Sequence, residues 1–260
     1  MKRLIMRNVA LCLLCLLHPL QVKSADTSDC KLGINLFAAN ISWENNYSND
    51  KYDNLGKAYY LIPNFEKKFR YISLKLNTNL CFSQLDGPDG LTITCPDDDI
   101  DSGFKTKMYI NNIVLGSGYN ILRYLILSIN MRYTFLKIIG DHEFGSLKYN
   151  YSEKGFLFGP SMNVKLPINK STMYFDFYYY NGELNTDYKA ASFSRTFRNN
   201  LTLNLYTAEI GIKIPIYQSI SFGLSVKTEY YDRKGESYFY NPVDSKINGM
   251  ILTVDYNFIN

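Results

Sequence analysis

The sequence predicts an all-β fold, a closed antiparallel transmembrane β-barrel of about ten strands, with eight as the alternative count. Three observations carry this. A short apolar leader opens the chain, two-residue alternation of apolar and polar side chains recurs along most of it, and short turns alternate with long polar segments. The alternation is clearest at the end. Met250, Leu252, Val254, Tyr256 and Phe258 are apolar, while Thr253, Asp255 and Asn257 between them are polar. Side chains on a strand point to opposite faces in turn, so this strand has one apolar and one polar face.

Residues 1–24 read as a secretory signal peptide. Lys2, Arg3 and Arg7 precede the apolar run Val9–Leu17, and Val22 and Ser24 stand at −3 and −1 of a cleavage before Ala25. The run is too short for a spanning helix, which needs about 20 residues. The signal holds four of the 28 Lys and Arg (Lys2, Arg3, Arg7, Lys23) and none of the 24 Asp and Glu. Residues 25–260, read as a single barrel domain, are therefore neutral, and the charge argument for a nucleic-acid partner disappears.

Cys12 and Cys15 leave with the signal, and Cys30, Cys81 and Cys95 remain. An exported chain meets an oxidising compartment. Cys81 and Cys95 flank a turn-rich loop and form the natural disulfide pair, which leaves Cys30 over.

Four hairpins follow. Tyr59–Phe65 turns at Glu66–Arg70 into Tyr71–Phe82, and Tyr109–Tyr119 turns at Asn120–Arg123 into Tyr124–Phe135. Phe156–Leu166 turns at Pro167–Ser171 into Met173–Tyr179, and Tyr206–Ile214 turns at Pro215–Gln218 into Ile220–Tyr230. A first strand from Leu32 and the last at Met250–Phe258 complete the ten. Long polar segments at 83–106, 136–155, 182–202 and 232–246 read as loops. An open sheet edge in hydrocarbon would leave backbone groups unsatisfied, so the sheet must close. Tyr59, Tyr60, Tyr109, Tyr119, Phe156, Tyr178–Tyr180, Tyr230 and Tyr231 read as interfacial girdles, which places the chain in the outer-membrane lipid of a Gram-negative cell.

Nine charges fall on the polar faces of these strands: Lys75, Arg132, Lys165, Asp176, Glu209, Lys213, Lys227, Glu229 and Asp255. Both signs are present, and an interior of this size fills largely with side chains. A salt-bridged plug is favoured over a narrow polar conduit.

Little points to chemistry. His142, in Gly140-Asp-His-Glu, is the only histidine after the signal and reads as a solvated loop residue. Asp97–Asp101 lacks the spacing and glycine of an EF-hand loop. No Cys/His metal cluster, phosphate-binding glycine loop or Gly-x-Ser-x-Gly elbow occurs, so no catalytic residue, metal or cofactor is expected.

The segment Asn45–Leu74, with Tyr60-Leu-Ile-Pro-Asn-Phe-Glu and Phe69-Arg-Tyr-Ile-Ser-Leu, resembles the opening hairpin of the MltA-interacting protein (MipA/OmpV) family. Gly140-Asp-His142, Gly155–Pro167 and Ile212–Tyr230 follow in that family's order. The resemblance implies a non-enzymatic scaffold in the cell envelope, linking a peptidoglycan hydrolase to a synthase, and the barrel itself reads as a monomer. The alternatives are a narrow porin-like channel for small solutes, a surface adhesin, and a rim enzyme using His142.

Overall fold

The computed structural model describes residues 30–45, 51–52, 57–69, 72–81, 85–86, 93–95, 98–100, 104–122, 124–142, 148–190, 196–217, 219–235 and 243–258. Ten long strands form the barrel: β1 (Cys30–Asn45), β2 (Lys57–Lys68), β3 (Ile72–Cys81), β4 (Phe104–Leu122), β5 (Leu125–His142), β6 (Lys148–Ile168), β7 (Ser171–Ala190), β8 (Phe197–Tyr217), β9 (Ile220–Lys234) and β10 (Val243–Phe258). Each pairs antiparallel with its neighbour in sequence, and β10 pairs with β1 from Cys30↔Phe258 to Asn45↔Val243, which closes the ring. The fold is that of an outer-membrane β-barrel. The signal-peptide reading of residues 1–24 lies outside the described residues.

The apolar alternation faces outward. Ile212, Leu224 and Leu252 lie in register across β8, β9 and β10 and are all exposed, as are Ile129, Leu127 and Leu115 on the other side. Aromatics bound this belt. On the short-turn side Tyr256 and Phe258 pack edge to face at 4.7 Å. On the long-loop side Tyr179, Tyr206 and Tyr230 form a row with ring centroids 5.2 and 6.3 Å apart. From Ile220 to Tyr230, ten residues at ~3.4 Å each and tilted by roughly 40° span about 25 Å, the height of an outer-membrane apolar band.

Four of the expected girdle residues point the other way. Tyr60, Tyr180 and Tyr231 are buried inside the barrel and Tyr178 packs against the same core, because each adjoins an outward residue and alternation reverses its face.

The strands also run longer than expected. β5 reaches His142 and β6 starts at Lys148, so most of the expected loop 136–155 is strand, and the same holds for 182–202. Above the Tyr179–Tyr206–Tyr230 row the outward residues turn polar: Asn181, Glu183, Asn185, Asn204, Thr202 and Asp232. Here Tyr179 Oη and Asn181 Nδ2 donate to Asn204 Oδ1 (3.1 and 2.8 Å), and Asn204 Nδ2 donates to Asp232 Oδ2 (3.1 Å). The barrel therefore stands roughly 20 Å clear of the apolar band. With polar residues outside, two-residue alternation no longer marks a strand. On the opposite side the connections are short, and the β6–β7 turn places Asn169 at φ 53°, a left-handed backbone that asparagine tolerates.

One glycine is fixed by close approach. A Cβ at Gly249 would lie 2.0 Å from the Ala38 carbonyl oxygen and 2.6 Å from Ala39 Cα. Backbone cannot yield as a flexible side chain can, so Gly249→Ala is expected to destabilise the β1–β10 closure by about 1–3 kcal/mol. A lowered urea midpoint for loss of the heat-resistant folded band on a denaturing gel measures this.

Candidate functional site in the barrel lumen

The interior is layered. Nearest the short turns, Lys31, Glu66 and Lys75 lie side by side on β1, β2 and β3 (Lys31↔Glu66, Glu66↔Lys75). Lys165, Asp176, Lys213 and Asp255 complete this tier from β6, β7, β8 and β10. The Asp255 carboxylate, wholly buried, accepts from both Lys31 (2.7 Å) and Lys213 (2.8 Å). Asn163 Nδ2 donates to Asp176, while Tyr174 Oη and Ser225 Oγ each donate to Glu209 Oε1 at 2.8 Å.

At mid-height Arg132, Glu229, Tyr231 and Tyr180 lie buried in the lumen, none more than 3% exposed. The Arg132 guanidinium donates to both Glu229 oxygens (3.3 and 3.2 Å) and to Tyr231 Oη (2.8 Å), and Tyr231 Oη donates to Glu229 Oε2 (2.6 Å). Lys227 adds a third contact to Glu229 at 2.7 Å. The cation sits 5.8 Å from the ring centroids of both Tyr180 and Tyr231. Phe37 and Tyr60 stack at 5.5 Å beside it, with Leu157 and Leu205 buried in the same core. Toward the loops a second buried pair follows, in which Arg233 Nε donates to Glu153 (3.0 Å), Tyr151 Oη donates to Glu153 Oε1 (2.7 Å) and Arg233 Nη1 donates to Ser245 Oγ (2.8 Å). Charges withdrawn from water are tolerated when paired and hydrogen-bonded; both arginines are ion-paired, and only Arg132 Nε lacks an acceptor among the described residues.

All nine charges singled out from the sequence lie on the inward face. Lys75 and Lys165 stand in the lower tier with Asp176, Lys213 and Asp255, whereas Arg132, Lys227 and Glu229 cluster at mid-height. Five further inward charges escaped sequence reasoning, Lys68 at the end of β2 among them. Lys31 and Glu66 lie on strands whose inward residues Phe37, Ile41, Tyr60 and Ile62 are also apolar, which blurs the alternation. Glu153 and Arg233 fall in segments that read as loops; the signal that could have found them is their two-residue spacing from Tyr151 and Tyr231. The expected Cys81–Cys95 disulfide lies outside the described residues, since Cys95 is placed by its backbone alone, as is His142 at the end of β5. Asp97 and Asp101 lie outside the described residues as well.

No protein-family model matches the chain, and no curated protein matches it. Solved structures do. The chain is similar to the outer membrane protease OmpT from Escherichia coli, with a TM-score of 0.55 at 9% identity over 93% of this chain and 99% of that one. It is similar also to the translocator domain of the autotransporter NalP from Neisseria meningitidis, with a TM-score of 0.53 at 10% identity over 98% and 96%. These likenesses are of fold, and they place the chain among outer-membrane β-barrels, in the outer membrane. They also correct one expectation. A barrel of this same fold is a protease, so the expectation that the chain is non-enzymatic does not stand.

Proposed function

We infer that the chain is a sealed outer-membrane barrel with a structural role in the cell envelope, engaged at its rims and not traversed by solutes. One observation carries this reading: at mid-height Arg132, Glu229, Tyr231 and Tyr180 fill the lumen and are 2–3% exposed. A conducting pore keeps its lining wet. Apolar side chains, Phe37, Tyr60, Leu157 and Leu205 among them, pack in the core beside this layer. Partners of the class implied by the resemblance to MltA-interacting proteins, peptidoglycan-processing enzymes, would meet the short-turn rim, periplasmic in barrels of this kind.

Two measurements test this. In planar bilayers the purified protein is expected to give no channel steps. Steps whose ion selectivity shifts in Glu229→Gln would replace the sealed barrel by a pore. Crosslinking in cells followed by mass spectrometry is expected to recover peptidoglycan hydrolases or synthases, and recovery of the barrel alone would remove that partner class.

A further inference from the structure

We propose that the short-turn half of the lumen is a blind vestibule that binds a protonated phosphate oxyanion, as inorganic phosphate or a phosphomonoester, through Lys75 and Lys165 with Glu66 as the acceptor. The proposal rests on the sealed mid-height layer, which makes the vestibule a dead end, and adds a ligand to it.

The tier below the seal differs from the seal in its access to solvent. Lys75, Lys165, Asp176 and Lys213 are half-buried, and the Lys31 and Lys213 side chains keep 19% and 28% of their exposure. Solvent reaches them from the short-turn mouth, because Arg132, Glu229 and Tyr231 bar the way from the other end. The inward charges here are unequal. Lys31, Lys68, Lys75, Lys165 and Lys213 face Glu66, Asp176, Glu209 and Asp255, five cations to four carboxylates, and Glu209 is bonded by the Tyr174 and Ser225 hydroxyls. Asp255 alone serves two lysines. Among the described residues neither Lys75 nor Lys165 has a carboxylate within ion-pairing distance. Two ammonium groups thus face a partly enclosed space with donors uncommitted. In such surroundings an anion is held far more firmly than in bulk water.

Glu66 narrows the ligand class. The residue is buried, 8% exposed, the charges around it are Lys75, Lys165, Lys68 and Lys31, and its Oε1 has no hydrogen-bond donor among the described residues. A carboxylate acceptor inside a cation cluster repels a fully deprotonated anion such as sulfate. It accepts the P–O–H proton of hydrogen phosphate or of a protonated phosphomonoester, while the lysines take the remaining oxygens. The pattern of several donors with one acceptor therefore selects an oxyanion that still carries a proton.

Equilibrium dialysis of the full barrel in phosphate-free detergent against radiolabelled inorganic phosphate tests the site, with glycerol phosphate and sulfate as competitors. Saturable uptake of one phosphate per barrel is expected, with sulfate competing roughly tenfold more weakly, about one charge-assisted hydrogen bond. Displacement by glycerol phosphate at equal concentration would extend the ligand to phosphomonoesters; failure to displace would overturn that part. Lys75→Met with Lys165→Met is expected to abolish uptake, while Lys234→Met on the outer surface leaves it unchanged. Glu66→Gln, which removes the negative charge and adds an amide donor, is expected to bring sulfate level with phosphate. That change in selectivity cannot follow from misfolding, and the heat-resistant folded band shows that each variant is intact. Absent uptake, or uptake that survives loss of both lysines in folded protein, would overturn the site. Channel steps in a bilayer would overturn the sealed lumen instead, so the two readings fail separately.

Discussion

Replacing Arg132 by methionine is expected to cost about 3–5 kcal/mol of folding stability, the largest loss of any single lumen substitution. The side chain is 2% exposed and makes two bonds to Glu229 and one to Tyr231. Methionine replaces the aliphatic stem and supplies no charge. Glu229, also 2% exposed, is then left with Lys227 and the Tyr231 hydroxyl as its remaining partners. Most of the cost is that buried carboxylate, left with one cation where it had two, since a buried ion pair removed as a whole roughly breaks even against a well-packed apolar substitute. The double variant Arg132→Met with Glu229→Leu should accordingly recover much of the loss. Urea unfolding in lipid vesicles, followed by the fraction of heat-resistant band, measures both. A single variant within about 0.5 kcal/mol of wild type would mean the seal is wet, and the double variant would then show no recovery.

The comparison of Arg132 with Glu153 shows what a sequence can reveal about such an interior. Arg132 is legible because Ile129, Met131 and Tyr133 beside it face lipid, so a charge in the alternate phase stands out. Glu153 makes an equally buried pair, but its neighbours Lys154 and Ser152 face water above the apolar band, where nothing in the pattern separates strand from loop. The lipid is what writes the alternation, and where the barrel leaves the lipid the signal ends while the hydrogen-bonded ladder continues. Inside the barrel a second loss operates. Phe37, Ile41, Tyr60 and Ile62 point inward and are apolar, so β1 and β2 look featureless although they pair along Cys30–Asn40 with Lys57–Lys67. The lower tier is harder still. Lys31 and Lys213 meet at Asp255 through the closure of β10 on β1, and a pairing between chain ends is invisible to any local window.

The same reasoning gives the second large effect, which tests where the membrane lies. Leu224 faces outward on β9, between Ile212 on β8 and Leu252 on β10, and all three are 39–44% exposed. It sits between the short-turn end at Ile220 and the aromatic row at Tyr230, close to the centre of the apolar band. An arginine there must draw water into the hydrocarbon or bend its side chain toward a distant interface, and Leu224→Arg is expected to cost about 2–4 kcal/mol in vesicles. Thr202→Arg is the matched control. Thr202 also faces outward, on β8, but beyond Tyr206 among Asn204, Asn200 and Arg198, and its replacement should change stability by no more than about 0.5 kcal/mol. In detergent, which deforms readily around a charge, the Leu224 penalty should shrink. If instead Thr202→Arg were the costly change, the apolar band would have to lie higher on the barrel, and the polar ladder of Asn204 and Asp232 would be buried in lipid with its side chains short of partners. Equal costs at the two positions would mean that neither marks the membrane, and the outward alternation would have to be explained by a protein partner covering that face.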